Sequence, residues 1–201
     1  MLTDKIDLYC ERLGPGLLAE PLNALSNAAF FLAAWLLSRL ARRDEPVLIA
    51  LICAVGICSA LFHTLATVWA RWLDIGSILV FQLAFLWRYA RAVFRWRAAA
   101  AAAFVAAFLA AALYARSFPH LLAGSLMYAP AIVALVGLSA VNRPGRSLLA
   151  AAAAIFALSL TLRTLDEPLC AQFPPGTHFF WHLLNPVVLY LCARALIEAK
   201  K

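Results

Sequence analysis

The chain has 201 residues, 65% of them apolar and 13% charged, with a formal net charge of +7. A soluble domain is about 45–50% apolar and about a quarter charged, so an ordinary soluble domain is excluded. The apolar excess runs along the whole chain, which also excludes a soluble domain on one anchor. The positive charge is weak ground for a nucleic-acid partner, because membrane proteins gather Lys and Arg in their cytoplasmic loops.

The first twenty residues carry Asp4, Asp7, Glu11 and Glu20 and no apolar core, so no cleavable signal peptide is expected. A spanning helix needs about 20 mostly apolar residues. Seven windows meet that length or nearly so: 22–40, 46–67, 72–90, 97–116, 121–141, 147–165 and 177–197. Pro46 follows the charged turn Arg42-Arg43-Asp44-Glu45, and Asn142-Arg143-Pro144-Gly145 parts the fifth segment from the sixth. Pro174-Pro175-Gly176 precedes the seventh, with Thr177 placed to cap its first turn. The alanine runs Ala98–Ala103 and Ala150–Ala154 read as close packing surfaces. The expectation is an all-α, polytopic seven-helix bundle, one domain over residues 1–201 with 1–21 as an outer N-terminal segment.

Seven spans put the termini on opposite sides. The 1–2, 3–4 and 5–6 loops and the C-terminus hold Arg39, Arg42, Arg43, Arg88, Arg91, Arg95, Arg97, Arg143, Arg146, Arg194, Lys200 and Lys201. The other side holds Lys5, Arg12, Arg71, Arg116 and Arg163. Twelve against five favours a cytoplasmic C-terminus and an outer N-terminus.

Against this background, "CSALFHTLATVWARWLD" places Ser59, His63 and Asp74 at the outer ends of segments two and three. Ser59 and His63 are four apart and share a helix face. "HFFWH" repeats that spacing with His178 and His182 at the outer start of segment seven. Three of the chain's four His thus fall at one depth, and ionisable groups inside a membrane point to function. Three imidazoles with an open fourth position form the usual catalytic zinc site, whose water becomes a nucleophile at neutral pH. Asp74 is placed to take that water's proton or to orient a ligand. Ser59 is placed to donate to an oxyanion. Other readings stay open on pattern alone. The His can sit among lipid headgroups or hold a haem, Ser59 can bond a backbone carbonyl, and Asp74 can cap a helix or pair with Arg71.

These residues carry a resemblance. "YCER", "AEPLNALSN", "SALFH" followed by "LD", and "HFFWH" occur in the order and spacing of the alkaline ceramidase family. That family belongs to a superfamily of seven-helix membrane hydrolases that includes the adiponectin-receptor-like proteins. The resemblance implies zinc on His63, His178 and His182, Asp74 serving the zinc-bound water, and Ser59 assisting at the carbonyl. It implies hydrolysis of the amide bond of ceramide or a similar N-acyl lipid to a fatty acid and an amine.

The resemblance further implies a calcium site in the N-terminal segment, with Asp7, Tyr9, Glu11, Glu20 and Asn23 as the available donors. Here Leu8 stands where the family pattern has an Asp. It also implies a Cys10–Cys170 disulfide, while Cys53, Cys58 and Cys192 read as packing residues. Asn23, Ser26 and Asn27 match a polar cluster entering the first helix, assigned to hydrogen bonding and support. The short loops and Ala/Arg-rich usage suggest a bacterial member in the cytoplasmic membrane, with its site near the periplasmic side. The alternative function is a non-hydrolytic receptor-like or transport protein whose His cluster is structural or carries protons.

Overall fold

The computed structural model describes residues 1–41, 45–141 and 145–200. Arg42, Arg43, Asp44, Asn142, Arg143, Pro144 and Lys201, which entered the loop and charge expectations, lie outside the described residues. The chain is helical throughout: α1 (Pro21–Ser26), α2 (Ala28–Ala41), α3 (Pro46–Leu65), α4 (Val68–Ala92), α5 (Ala98–Arg116), α6 (Ala129–Val141), α7 (Arg146–Thr164) and α8 (His178–Ala199). With α1 and α2 forming one span, seven among the described residues are long and apolar enough to cross a membrane.

Helix α8 is the centre of the bundle. In its spanning window 61% of residues are buried, against 17% for α4 and for α5. It packs mainly on α7 and α2 and also touches α1, α3 and α4. Small residues make this possible, since Ala193 and Ala195 of α8 are wholly enclosed in the same core as the equally enclosed Leu149 and Ala152 of α7. Of the alanine runs, Ala101, Ala152 and Ala153 are buried while most of the rest point outward. One helix face packs and the other meets lipid. At Gly56 of α3 an added Cβ would lie 2.8 Å from Phe30 Cβ, so only glycine lets α2 approach this closely.

Two expected helices are interrupted. The first breaks at Asn27, whose Nδ2 donates to Asn23 O at 2.7 Å and diverts a carbonyl from the helical ladder. The fifth, expected as one helix over 121–141, begins as a tight 3₁₀ segment over Leu121–Tyr128. There Leu122, Ala123 and Gly124 are left-handed, and α6 starts only at Ala129 with Pro130 in its first turn. The freed groups are answered by α7: Arg163 Nη1 donates to Ala123 O at 3.2 Å and to Ser125 Oγ at 2.5 Å. Helix α4 starts four residues earlier than the expected 72, so Asp74 lies in its second turn.

The N-terminal segment lies across the histidine end of the bundle and supplies the caps that these helices lack. Lys5 bridges Thr67, and Ile6 N–H donates to Ala66 O at 2.8 Å. The first-turn N–H groups of α4, Val68 and Trp69, donate to Asp4 O and Leu2 O at 3.1 and 2.9 Å. Glu11 accepts from Leu22 and Asn23 N–H at 2.5 and 2.8 Å and so caps α1. Thr177 does not cap α8 with its side chain, which instead donates to Leu162 O at 2.5 Å. Asp166 does the capping, its Oδ1 accepting from Thr177 and His178 N–H at 2.6 and 2.8 Å, its Oδ2 from Cys10 N–H at 3.0 Å. Gly176, left-handed with φ +69, allows this approach because a Cβ there would overlap the Asp166 carboxylate. Cys10 and Cys170 form the expected disulfide, with Cα atoms 5.3 Å apart.

At the opposite end, Glu45 is wholly buried and accepts from Arg88 Nε at 2.5 Å and from Lys200 Nζ. It therefore ties the start of α3 to the ends of α4 and α8. Glu45→Gln is expected to lower stability by about 1–3 kcal/mol, read as a fall in thermal midpoint in detergent with metal content unchanged. Cys10→Ala is expected to lower stability by about 2–4 kcal/mol and to expose the N-terminal segment to protease, a change that reduction of the wild-type protein reproduces.

Candidate metal centre

His63 ends α3, and His178 and His182 open α8. The sequence places His63 one turn before the left-handed Ala66 that terminates its helix. It places the pair a turn apart on the inward face of α8. All three are buried, and one ring nitrogen from each lies within 4.8 Å of the others. Ring centroids are 4.5 Å apart for His63–His182, 4.7 Å for His178–His182 and 5.1 Å for His63–His178.

Their hydrogen bonds fix which nitrogen is free. His63 Nδ1 lies 2.5 Å from Glu20 Oε2. A carboxylate accepts, so Nδ1 carries the proton and Nε2 keeps its lone pair. That Nε2 is buried with no hydrogen-bond partner. His182 Nδ1 lies 3.0 Å from Ser26 Oγ, whose own hydrogen goes to Asn23 O at 3.0 Å. Ser26 must then accept from His182, again leaving Nε2 free. His178 has a buried, unpartnered Nδ1. Buried imidazole nitrogens without partners are costly unless something binds them, and lone pairs held toward a common centre by hydrogen bonds on the far nitrogen are the arrangement of a His metal site. The donor set fits a metal ion, and its all-nitrogen character suits zinc.

Ser59 and Asp74 stand beside the triad. Both line one apolar cavity whose wall also includes Phe30, Val55, Phe81, Phe108, Trp181 and Leu189. Asp74 Oδ1 is buried and without a partner, and the Ser59 side chain neighbours the carboxylate. Asp74 therefore neither caps α4 nor spends this oxygen on Arg71. Gln82 and Asn185 are the further polar side chains in the cavity wall.

The expected calcium donors are exposed or already engaged by other groups of the chain. Asp7 is exposed, and both oxygens of Glu11 are taken by the N–H groups of α1. The Tyr9 carbonyl, the donor expected there, accepts from Arg12 N–H at 3.1 Å, and its ring lies on His178, centroids 3.6 Å apart and 12° from parallel. Burial raises the Tyr9 phenol above its ordinary pKa, so it stays protonated against the His. Glu20 is enclosed by three donors: Arg12 Nε on Oε1, and His63 Nδ1 and Asn23 Nδ2 (3.1 Å) on Oε2. Burial alone would raise its pKa, but the bonds from His63 and Arg12 outweigh it and hold the carboxyl below its ordinary value. Asn23 keeps only an unpartnered Oδ1. These residues do not fit a calcium ion, which wants six to eight oxygens.

Several participants escaped the sequence reading. Arg12 entered it as an outer-side charge, Glu20 as a calcium donor, and Asp166 was given no role. Ser26 and Asn23 were assigned to support, and their contacts agree with that. The available signal for Arg12 was its place beside the turn-forming Gly14-Pro15-Gly16, whose carbonyls a nearby guanidinium can collect.

A search of curated proteins returns no match to the chain. The profile of the ceramidase family matches residues 9–199, a range that takes in Tyr9, the disulfide, the three His, Ser59 and Asp74. The chain belongs to the ceramidase family.

Proposed function

We propose that the chain is a zinc-dependent amidohydrolase of the membrane. It acts on ceramide or a similar N-acyl lipid and releases a free fatty acid and an amine. The observation that carries this reading is the pairing of three buried imidazoles, their free nitrogens held toward one centre, with an unpartnered Asp74 oxygen at the wall of an apolar cavity. Membership of the ceramidase family supports lipid amide hydrolysis as the reaction.

His63, His178 and His182 would hold the zinc, which when bound polarises a carbonyl and acidifies water at neutral pH. The remaining work falls to the chain. The apolar cavity takes the acyl chain and excludes bulk water, which strengthens every polar contact near the scissile amide. Asp74 accepts the proton that the attacking water gives up and delivers it to the departing nitrogen, so water and amide become acid and amine. Ser59 donates to the carbonyl oxygen as charge builds there. Its single hydrogen serves either Asp74 or that oxygen, so turning to the substrate leaves Asp74 the stronger base.

The basic residues favour the N-terminus outside and the C-terminus in the cytoplasm, and the disulfide at the histidine end suits an oxidising compartment. Together they favour a site on the non-cytoplasmic side, and the short loops and Ala/Arg-rich usage support a bacterial cytoplasmic membrane, with the site toward the periplasm and its substrate reached from the outer leaflet.

Elemental analysis of protein purified without chelators is expected to show near-stoichiometric zinc, lost in His63→Ala and in His182→Ala. Zinc-free wild-type protein would sink the reading. Asp74→Asn is expected to keep its metal and lose about 10²–10⁴-fold in kcat. Ser59→Ala is expected to lose about 10²-fold. Fatty-acid release from ceramide, an N-acyl amino-acid lipid and a matched ester identifies the headgroup and the bond.

A further inference from the structure

The engagement of Glu11 and Glu20 by donors of the chain has a positive counterpart in Arg12. Its side chain is buried, an expensive place for a charge unless that charge is fully paired. All three guanidinium nitrogens find oxygen. Nε donates to Glu20 Oε1, Nη1 to Gly14 O at 3.1 Å and to Gly16 O at 3.4 Å, and Nη2 to His63 O at 3.0 Å. One carboxylate oxygen and three carbonyl oxygens from three parts of the chain are thus gathered around one positive charge. That is the donor chemistry a hard divalent cation would collect, and the space is filled by a cation covalently tethered to the chain.

We propose that the Arg12 guanidinium is the resident structural cation of this site, in place of a calcium ion, and acts as a positioning residue for His63. The proposal rests on the reading of His63 as a metal ligand. Arg12 grips that residue at two points. Nη2 holds its main-chain carbonyl. Nε holds Glu20, whose other oxygen takes the His63 Nδ1 proton at 2.5 Å. The first contact sets where the end of α3 lies, and the second sets the orientation and tautomer of the ring. A planar fork meets these separated acceptors together, whereas an ammonium of equal charge is a single point. The carbonyls of Gly14 and Gly16 fix the fork in turn, so the turn after Arg12 belongs to the same device. Glu11, which a calcium site would need, is free to cap α1 because the guanidinium leaves no cation for it to bind.

The test uses the full chain in detergent, with zinc affinity measured by chelator competition and stability by thermal midpoint. Wild-type protein is expected to show neither a shift in midpoint with added calcium nor a loss of zinc to a calcium-selective chelator. Arg12→Ala is expected to hold zinc about 10–100-fold more weakly, the usual effect of removing a partner of a ligating His. Millimolar guanidinium ion is expected to restore zinc affinity in Arg12→Ala but not in Glu20→Ala. Arg12→Lys, which keeps charge and stem, is expected to fall between wild type and Arg12→Ala, and it keeps the test open if the alanine variant does not fold. Calcium that stabilises the wild-type protein, zinc affinity unchanged in Arg12→Ala, or a loss that guanidinium does not restore would each overturn the proposal. Wild-type protein holding no zinc would instead strike at the His triad, while the calcium arm still decides the nature of the cation.

Discussion

The contact on which the histidine end depends is the hydrogen bond between Glu20 and His63. A carboxylate that is 2% exposed survives only if its oxygens are filled by donors. The donors come from different elements: Arg12 from the N-terminal segment, Asn23 from α1 and His63 from α3. Satisfying one carboxylate therefore requires the N-terminal segment to lie over the end of α3. Once it lies there, Tyr9 meets His178, Cys10 meets Cys170, and the carbonyls of Leu2 and Asp4 reach the start of α4. These contacts all follow from placing that one negative charge.

A bundle of apolar helices needs such devices. In lipid, the helix faces gain little from hydrophobic burial against one another, so packing, small residues and polar contacts set the arrangement. Here the directional contacts concentrate at the two ends. Asp166 joins Cys10 to the first turn of α8, and Glu45 joins the start of α3 to the ends of α4 and α8. Both are buried carboxylates met by donors from separate elements. Between them the core is aliphatic and aromatic. Helix α8 is thus fastened at both ends, which suits an element that carries two of the three imidazoles.

The spans were legible because twenty apolar residues in a row leave few alternatives, and the three His that come together were legible because polar residues are rare in such runs. The break in the fifth segment was not legible, since the left-handed turn at Leu122, Ala123 and Gly124 is supported by Arg163 and Thr164 from another helix. The cap of α8 was misassigned to Thr177 for a related reason. Local spacing favours the nearest hydroxyl, while the folded chain brings in Asp166 from eleven residues away. Arg12 was the deepest miss. Charge counting treats every arginine as solvated, and burial of a guanidinium becomes visible only when its four acceptors are assembled.

The same geometry changes the standing of the first 26 residues of the chain. Two of the three imidazoles have their far nitrogen set by residues before position 27: His63 by Glu20, itself held by Arg12, and His182 by Ser26. The third is covered by the ring of Tyr9. The orientation of the rings is thus set by residues outside the triad itself. A segment that looks like an outer extension of the bundle is, by these contacts, the part of the protein that builds its centre.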